Sequence, residues 1–93
     1  MAVARIATFE NPKLQADDER RAATLRDLVQ AQPGFVAGFH LSEEGTGRLM
    51  SITVWDSDDT MRQGEEAVAR RPAEDQRGIR PTTVERWVVE GTF

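Results

Sequence analysis

The sequence predicts an α+β fold of the ferredoxin-like type, βαββαβ: a four-stranded antiparallel sheet with two helices on one face. Three observations carry this expectation. Apolar residues recur with strand, helix, strand, strand, helix and strand periodicity in that order. The middle strand pair flanks a short glycine-bearing gap, "EEGTG", as a hairpin requires. The chain has only 93 residues, so one domain spanning 1–93 must hold every element in a single small core.

The first strand is "AVARIATFE", residues 2 to 10, which is rich in small and β-branched residues and ends at Asn11-Pro12, a turn-forming pair. From Gln15 to Ala31 the chain turns charged, with Ala22, Leu25, Leu28 and Val29 at the spacing of one helix face. Pro33-Gly34 stops that helix. Phe35–Ser42 and Arg48–Trp55 are the second and third strands. Placing Glu43 opposite Arg48 closes the hairpin with a four-residue turn, Glu44 to Gly47, and sets opposite charges across its mouth. "DSDD", 56 to 59, supplies caps for a second helix with Met61, Gly64 or Glu65, and Val68 on its inner side. Gly64 weakens such a helix by about 1 kcal/mol relative to alanine and points to a close approach to the sheet. Pro72 ends it, and "PAEDQRG" reads equally as one helical turn or a loop. "TTVERWVVEGTF" supplies the last strand.

The hairpin register sorts side chains between two faces, because opposed residues in an antiparallel pair project to the same side. Phe35, Ala37, Phe39, Leu41, Met50, Ile52 and Val54 make one wholly apolar face. Val36, Gly38, His40, Ser42, Leu49, Ser51, Thr53 and Trp55 make a mixed one. Two helices cover only one side of a sheet, and the mixed face, carrying Trp55, Val36 and Leu49, is expected on the other. Left to water it would be a patch of the kind that marks an interface. A homodimer with two sheets face to face, enclosing a partly polar cavity, is the economical arrangement.

Composition narrows the function. Sixteen acidic residues against twelve basic ones give a net charge of -4, with no basic stripe to follow a phosphate backbone, which speaks against nucleic acid. There is no cysteine, so disulfides, thiolate metal sites and a cysteine nucleophile are excluded. Nothing approaches the eighteen or so apolar residues of a membrane span, and no leader pattern is visible, so a soluble, cytoplasmic protein without membrane contact is expected.

"QPGFVAGFHL", "GTGRLMSITVWDSDD" and "VERWVV" together resemble the antibiotic-biosynthesis-monooxygenase-like (ABM) domains of the dimeric α/β-barrel superfamily, and the resemblance covers nearly the whole chain. It implies the fold above, pairing as a dimeric α/β barrel. It also implies a choice among cofactor-independent oxygenases, haem-degrading enzymes and proteins without established activity, which fold alone does not make.

His40, the single histidine, is the candidate catalytic residue. Cofactor-free oxygenation needs a base that turns a phenol or carbon acid into an anion able to meet oxygen directly, and an imidazole with a pKa of about 6.5 suits that task. The structural alternative is a hydrogen bond from His40 to Ser51 or Ser42. Trp55, Ser51, Thr53 and Val36 would line the substrate space beside it, and Trp87 would join them if its strand turns it inward. Either tryptophan serves equally as core or interface. No serine triad can be assembled, and no cofactor or metal is expected. The acid pairs Asp17-Asp18, Glu43-Glu44, Asp58-Asp59 and Glu65-Glu66 read as caps and solvated charges. The expected protein is a homodimer that takes a small aromatic or polyketide-like ligand, as an oxygenase or as a non-catalytic module. Haem degradation fits badly, because the family members that do it place their iron-ligating histidine on a helix.

Overall fold

Strand and helix signals in the sequence resolve into six main elements in the computed structural model, which describes Met1–Phe93. They are β1 (Val3–Phe9), α1 (Asp18–Gln30), β2 (Phe35–Ser42), β3 (Leu49–Trp55), α2 (Asp58–Ala69) and β4 (Thr83–Val88). A single 3-10 turn, Ala73–Gln76, follows Pro72, so the segment that the sequence left open contains one helical turn. The sheet order is β2-β3-β1-β4, antiparallel throughout, the expected ferredoxin-like topology. The molecule is a slab 37 × 33 × 18 Å, the thickness of one sheet and one helix layer.

The hairpin closes in the register set by its end charges. Glu43 N–H donates to the Arg48 carbonyl at 2.9 Å, and the two side chains lie 3.9 Å apart. Pairing then runs from Ser42 opposite Leu49 to Ala37 opposite Val54. There a β-bulge intervenes, and Phe35, not Val36, faces Trp55. The extra residue re-aims the strand end. Phe35 therefore leaves the apolar face expected for it and meets Trp55 edge-on, with ring centroids 5.6 Å apart at 83°.

α2 begins on a capping box. Ser57 Oγ accepts from Thr60 N–H at 3.2 Å and Thr60 Oγ1 accepts from Ser57 N–H at 3.3 Å, which satisfies two of the orphan donors at a helix start. The apolar stripe of α1 lies inward as expected: Ala22, Leu25, Leu28 and Val29 are all partly buried. Val29 packs with Phe35 against the central cluster of Val3, Trp55 and Met61.

That cluster corrects the face assignment. Val3 pairs with Trp55 and Arg5 with Thr53, and Arg5 bonds to Glu65 of α2. The mixed face therefore lies beneath the helices, and the wholly apolar face is the uncovered one. The physical reason is local. Gly64 stands directly over the indole of Trp55, where a Cβ would collide with the ring, so α2 can seat on the tryptophan-bearing side. The polar groups packed against α2 have partners: Thr53 accepts the indole N–H and Glu65 meets two arginines. On the open side, β1 contributes Ala4 and Ile6, β3 Met50, Ile52 and Val54, β2 Ala37, Phe39 and Leu41, and β4 Trp87, and only Thr8, Thr83 and Glu85 interrupt the apolar surface. Phe39 is 54% exposed and Trp87 57%.

Candidate functional site

Pairing across the four strands lays the candidate residues out in rows on the helix side. One row is His40, Ser51, Ala7, Val84; the next is Gly38, Thr53, Arg5, Arg86. His40 and Ser51 are thus direct cross-strand neighbours, at the separation that lets side chains on one face meet. His40 is exposed, and the hydrogen bond to Ser51 or Ser42 that a structural role requires is absent from the side-chain bonds of the protein. The imidazole is unengaged. The half-buried Ser51 hydroxyl beside it is also free of any intrachain bond.

The other candidates separate from this pair. Trp55 is 3% exposed and belongs to the core. Its Nε1–H donates to Thr53 Oγ1 at 3.0 Å, so both residues are committed to holding β3 against α2. Val36 is the extra residue of the bulge and is 58% exposed. Trp87 pairs with Ala4 and so projects from the open face, away from His40. Of the five residues expected alongside the histidine, Ser51 stays beside it, Trp55 and Thr53 go to the core under α2, Val36 to the bulge and Trp87, by its pairing with Ala4, to the open face.

A charged cluster that sequence reading assigned to solvent lies on the same helix-covered side. Glu65 accepts from Arg5 Nε at 2.9 Å and from Arg86 Nε at 3.3 Å, with Arg86 Nη2 also against its carboxylate. Glu65 is a bridge and not a solubility charge. The sequence held no signal for it, because which face of the sheet meets the helices is settled only by packing. Burial pushes the Glu65 carboxyl up, but the bonds from Arg86 and Arg5 together outweigh it and hold the group below the ordinary glutamate range. Its contribution to stability is full above the unfolded value of about 4.3 and is lost as the pH falls through the lower folded value. Glu65→Gln is expected to lower stability at pH 7 by about 1–2 kcal/mol, because a charged acceptor for two guanidinium groups is lost. The same variant should also have a flatter acid limb than the wild type, which thermal melts from pH 7 to pH 3 would check.

No helix is long and apolar enough to cross a membrane. No three His, Cys, Asp or Glu side chains gather into a set that could hold a metal ion.

No protein-family model matches the chain, and no curated protein does. Solved structures do. The cofactor-independent oxygenase SnoaB of Streptomyces nogalater superposes with a TM-score of 0.76 at 22% identity, over 98% of this chain and 95% of that one. A haem-degrading protein of Mycobacterium tuberculosis gives 0.67 at 24% identity, over 100% and 99%. A candidate antibiotic biosynthesis monooxygenase from Chloroflexus aurantiacus gives 0.70 at 14%, over 100% and 97%. The chain therefore has the fold of ABM-like domains, end to end.

Proposed function

We propose that this protein is a homodimeric small-molecule-binding domain that acts as a cofactor-independent oxygenase on an electron-rich aromatic or polyketide-like substrate, with His40 as the base. The observation that carries this reading is the unengaged imidazole of His40 beside the free Ser51 hydroxyl on the helix side of the sheet. The likeness to a cofactor-independent oxygenase supports it. His40 would take a proton from a phenol or an activated CH2 group, leaving a carbanion or phenolate that reacts with oxygen. One oxygen atom is retained as the new carbonyl and the other leaves as water, the substrate itself supplying the electrons. Ser51 would hold the substrate oxygen on which the negative charge develops.

The alternative is a non-catalytic dimeric ligand-binding module, and one observation favours it: Trp55 and Thr53, two of the side chains suited to a pocket, are spent on the core. Oxygen uptake with a panel of dihydroxyaromatic substrates and anthrones separates the two. Wild type is expected to consume oxygen stoichiometrically with product, and His40→Ala to be slower by about 10²–10⁴-fold, the usual contribution of a general base. Equal rates in the two proteins remove His40 from the reaction; no uptake across the panel, with ligand binding retained, selects the module.

A further inference from the structure

A second feature lies at the far end of the same seam, one row beyond Ala7, where Phe9 ends β1. Two adjoining recesses of about 330 Å³ each, sharing Gln15 and Gly78, open between the segment leading into α1 and residues 77–80 ahead of β4. Four basic side chains, Lys13, Arg21, Arg77 and Arg80, line them against two acidic ones, Glu10 and Asp17. The acids are already engaged: Glu10 lies 3.8 Å from Arg48 and Asp17 4.0 Å from Arg21. Lys13, Arg77 and Arg80 have no carboxylate within 4.0 Å. In a chain of net charge -4, Lys13 and Arg80, unpaired on the recess that also carries Phe9 and Ile79, with Arg77 on the adjoining one, are a local reversal of sign.

The frame around them is fixed. Asp18, 8% exposed, accepts Gln15 N–H at 2.6 Å and Arg21 Nη1 at 3.2 Å. Gly78 takes φ +112 so close to that carboxylate that a Cβ would lie 2.9 Å from Oδ1. Arg21 Nε donates to the Glu74 carbonyl, and the Gln76 amide to those of Ala69 and Arg71, which ties the wall to both helices. Phe9 and Ile79, each half-buried, give the hollow an apolar surface.

We infer that the recess lined by Phe9 and Ile79 binds a small aromatic carboxylate, the ring against those two side chains and the anion on Arg80 and Lys13. Guanidinium groups recognise carboxylates in forked, charge-assisted pairs. The site is defined by binding alone, so it stands or falls separately from the role of His40.

Titration of ¹⁵N-labelled protein with 2-naphthoate, 2-naphthamide and inorganic phosphate tests it. 2-Naphthoate is expected to shift the amides of Gln15 and Gly78 saturably, at least about tenfold more tightly than the neutral amide or phosphate. Lys13→Gln with Arg80→Gln should weaken it at least about tenfold, while Arg26→Gln, which alters an unpaired cation of α1 outside the hollow, leaves it unchanged. The inference is overturned by no saturable shift up to about 10 mM, by equal binding of 2-naphthamide or phosphate, or by indifference to the double variant. Because the exchanged side chains make no intrachain bond, the variants should melt within about 0.5 kcal/mol of wild type.

Discussion

Trp55→Ala is expected to destabilise the protein by about 3–5 kcal/mol, the cost of emptying a tryptophan-sized space that the surroundings cannot fill. Few side chains share that burden. Seven of the 93 residues are buried, and Met61 is the one large side chain that is completely so. The indole joins β3 to α2 through Gly64, to β2 through Phe35 and to Thr53 through its N–H. Against a total stability of about 5–15 kcal/mol for a domain, and roughly 4–8 °C per kcal/mol at this size, thermal melts should fall by about 12–40 °C. The contact with Gly64 supplies a sign test. Gly64→Ala brings about 1 kcal/mol of helix propensity, but its methyl group meets the ring, and overpacking of that kind costs about 1–3 kcal/mol. It should therefore destabilise wild type and stabilise the Trp55→Ala variant, where the ring is gone. A Gly64→Ala protein that melts above wild type would show that the indole is not where the core needs it.

Wild-type protein is expected to run as a dimer, at twice 10.4 kDa, and Phe39→Glu as a monomer. The open face offers Phe39, Leu41 and Trp87 with Ile6, Ile52 and Val54 between them, an apolar surface of the kind that marks an interface. Phe39 is more than half exposed in one subunit, so glutamate there costs the lone fold little. At an interface between two sheets the same carboxylate would be desolvated without a partner, several kcal/mol of penalty, and dimer dissociation should strengthen by at least about 100-fold. Light scattering across micromolar concentrations reads this directly, with circular dichroism to confirm that the variant is folded. Wild type behaving as a monomer throughout that range would sink the paired-sheet arrangement.

The hairpin, the end of α1 and the start of α2 were legible in the sequence because their causes are local, whereas α1 begins at Asp18, three residues after the expected Gln15. Opposite charges at Glu43 and Arg48, the Pro33-Gly34 stop and the Ser57 cap act over a few residues, and the structure places each where the pattern indicates. The topology followed from element order under the packing rules for small α+β domains. The candidate site was legible only in part. His40 beside Ser51 is a register statement and held; the arrangement of Trp55, Thr53, Val36 and Trp87 around it was not, since the first two depend on which side the helices occupy, Val36 on the bulge and Trp87 on the pairing of the outer strand. The Glu65 bridge joins β1, α2 and β4 over 60 and 21 residues of separation, contacts that no periodicity encodes.

What the sequence determined by itself is therefore the set of hairpin side chains from Ala37 to Val54 that share each face, because alternation along a strand and a charge pair at its turn favour one pairing. What tertiary structure alone decided is which face turns inward. Two apolar-capable surfaces competed for the helices, and the choice fell to the shape of a single contact, an indole fitting beneath a glycine, together with the bulge that swung Phe35 over to join it. Packing of that kind depends on the three-dimensional match between elements remote in the chain, so hydrophobicity read residue by residue cannot choose between the two sides.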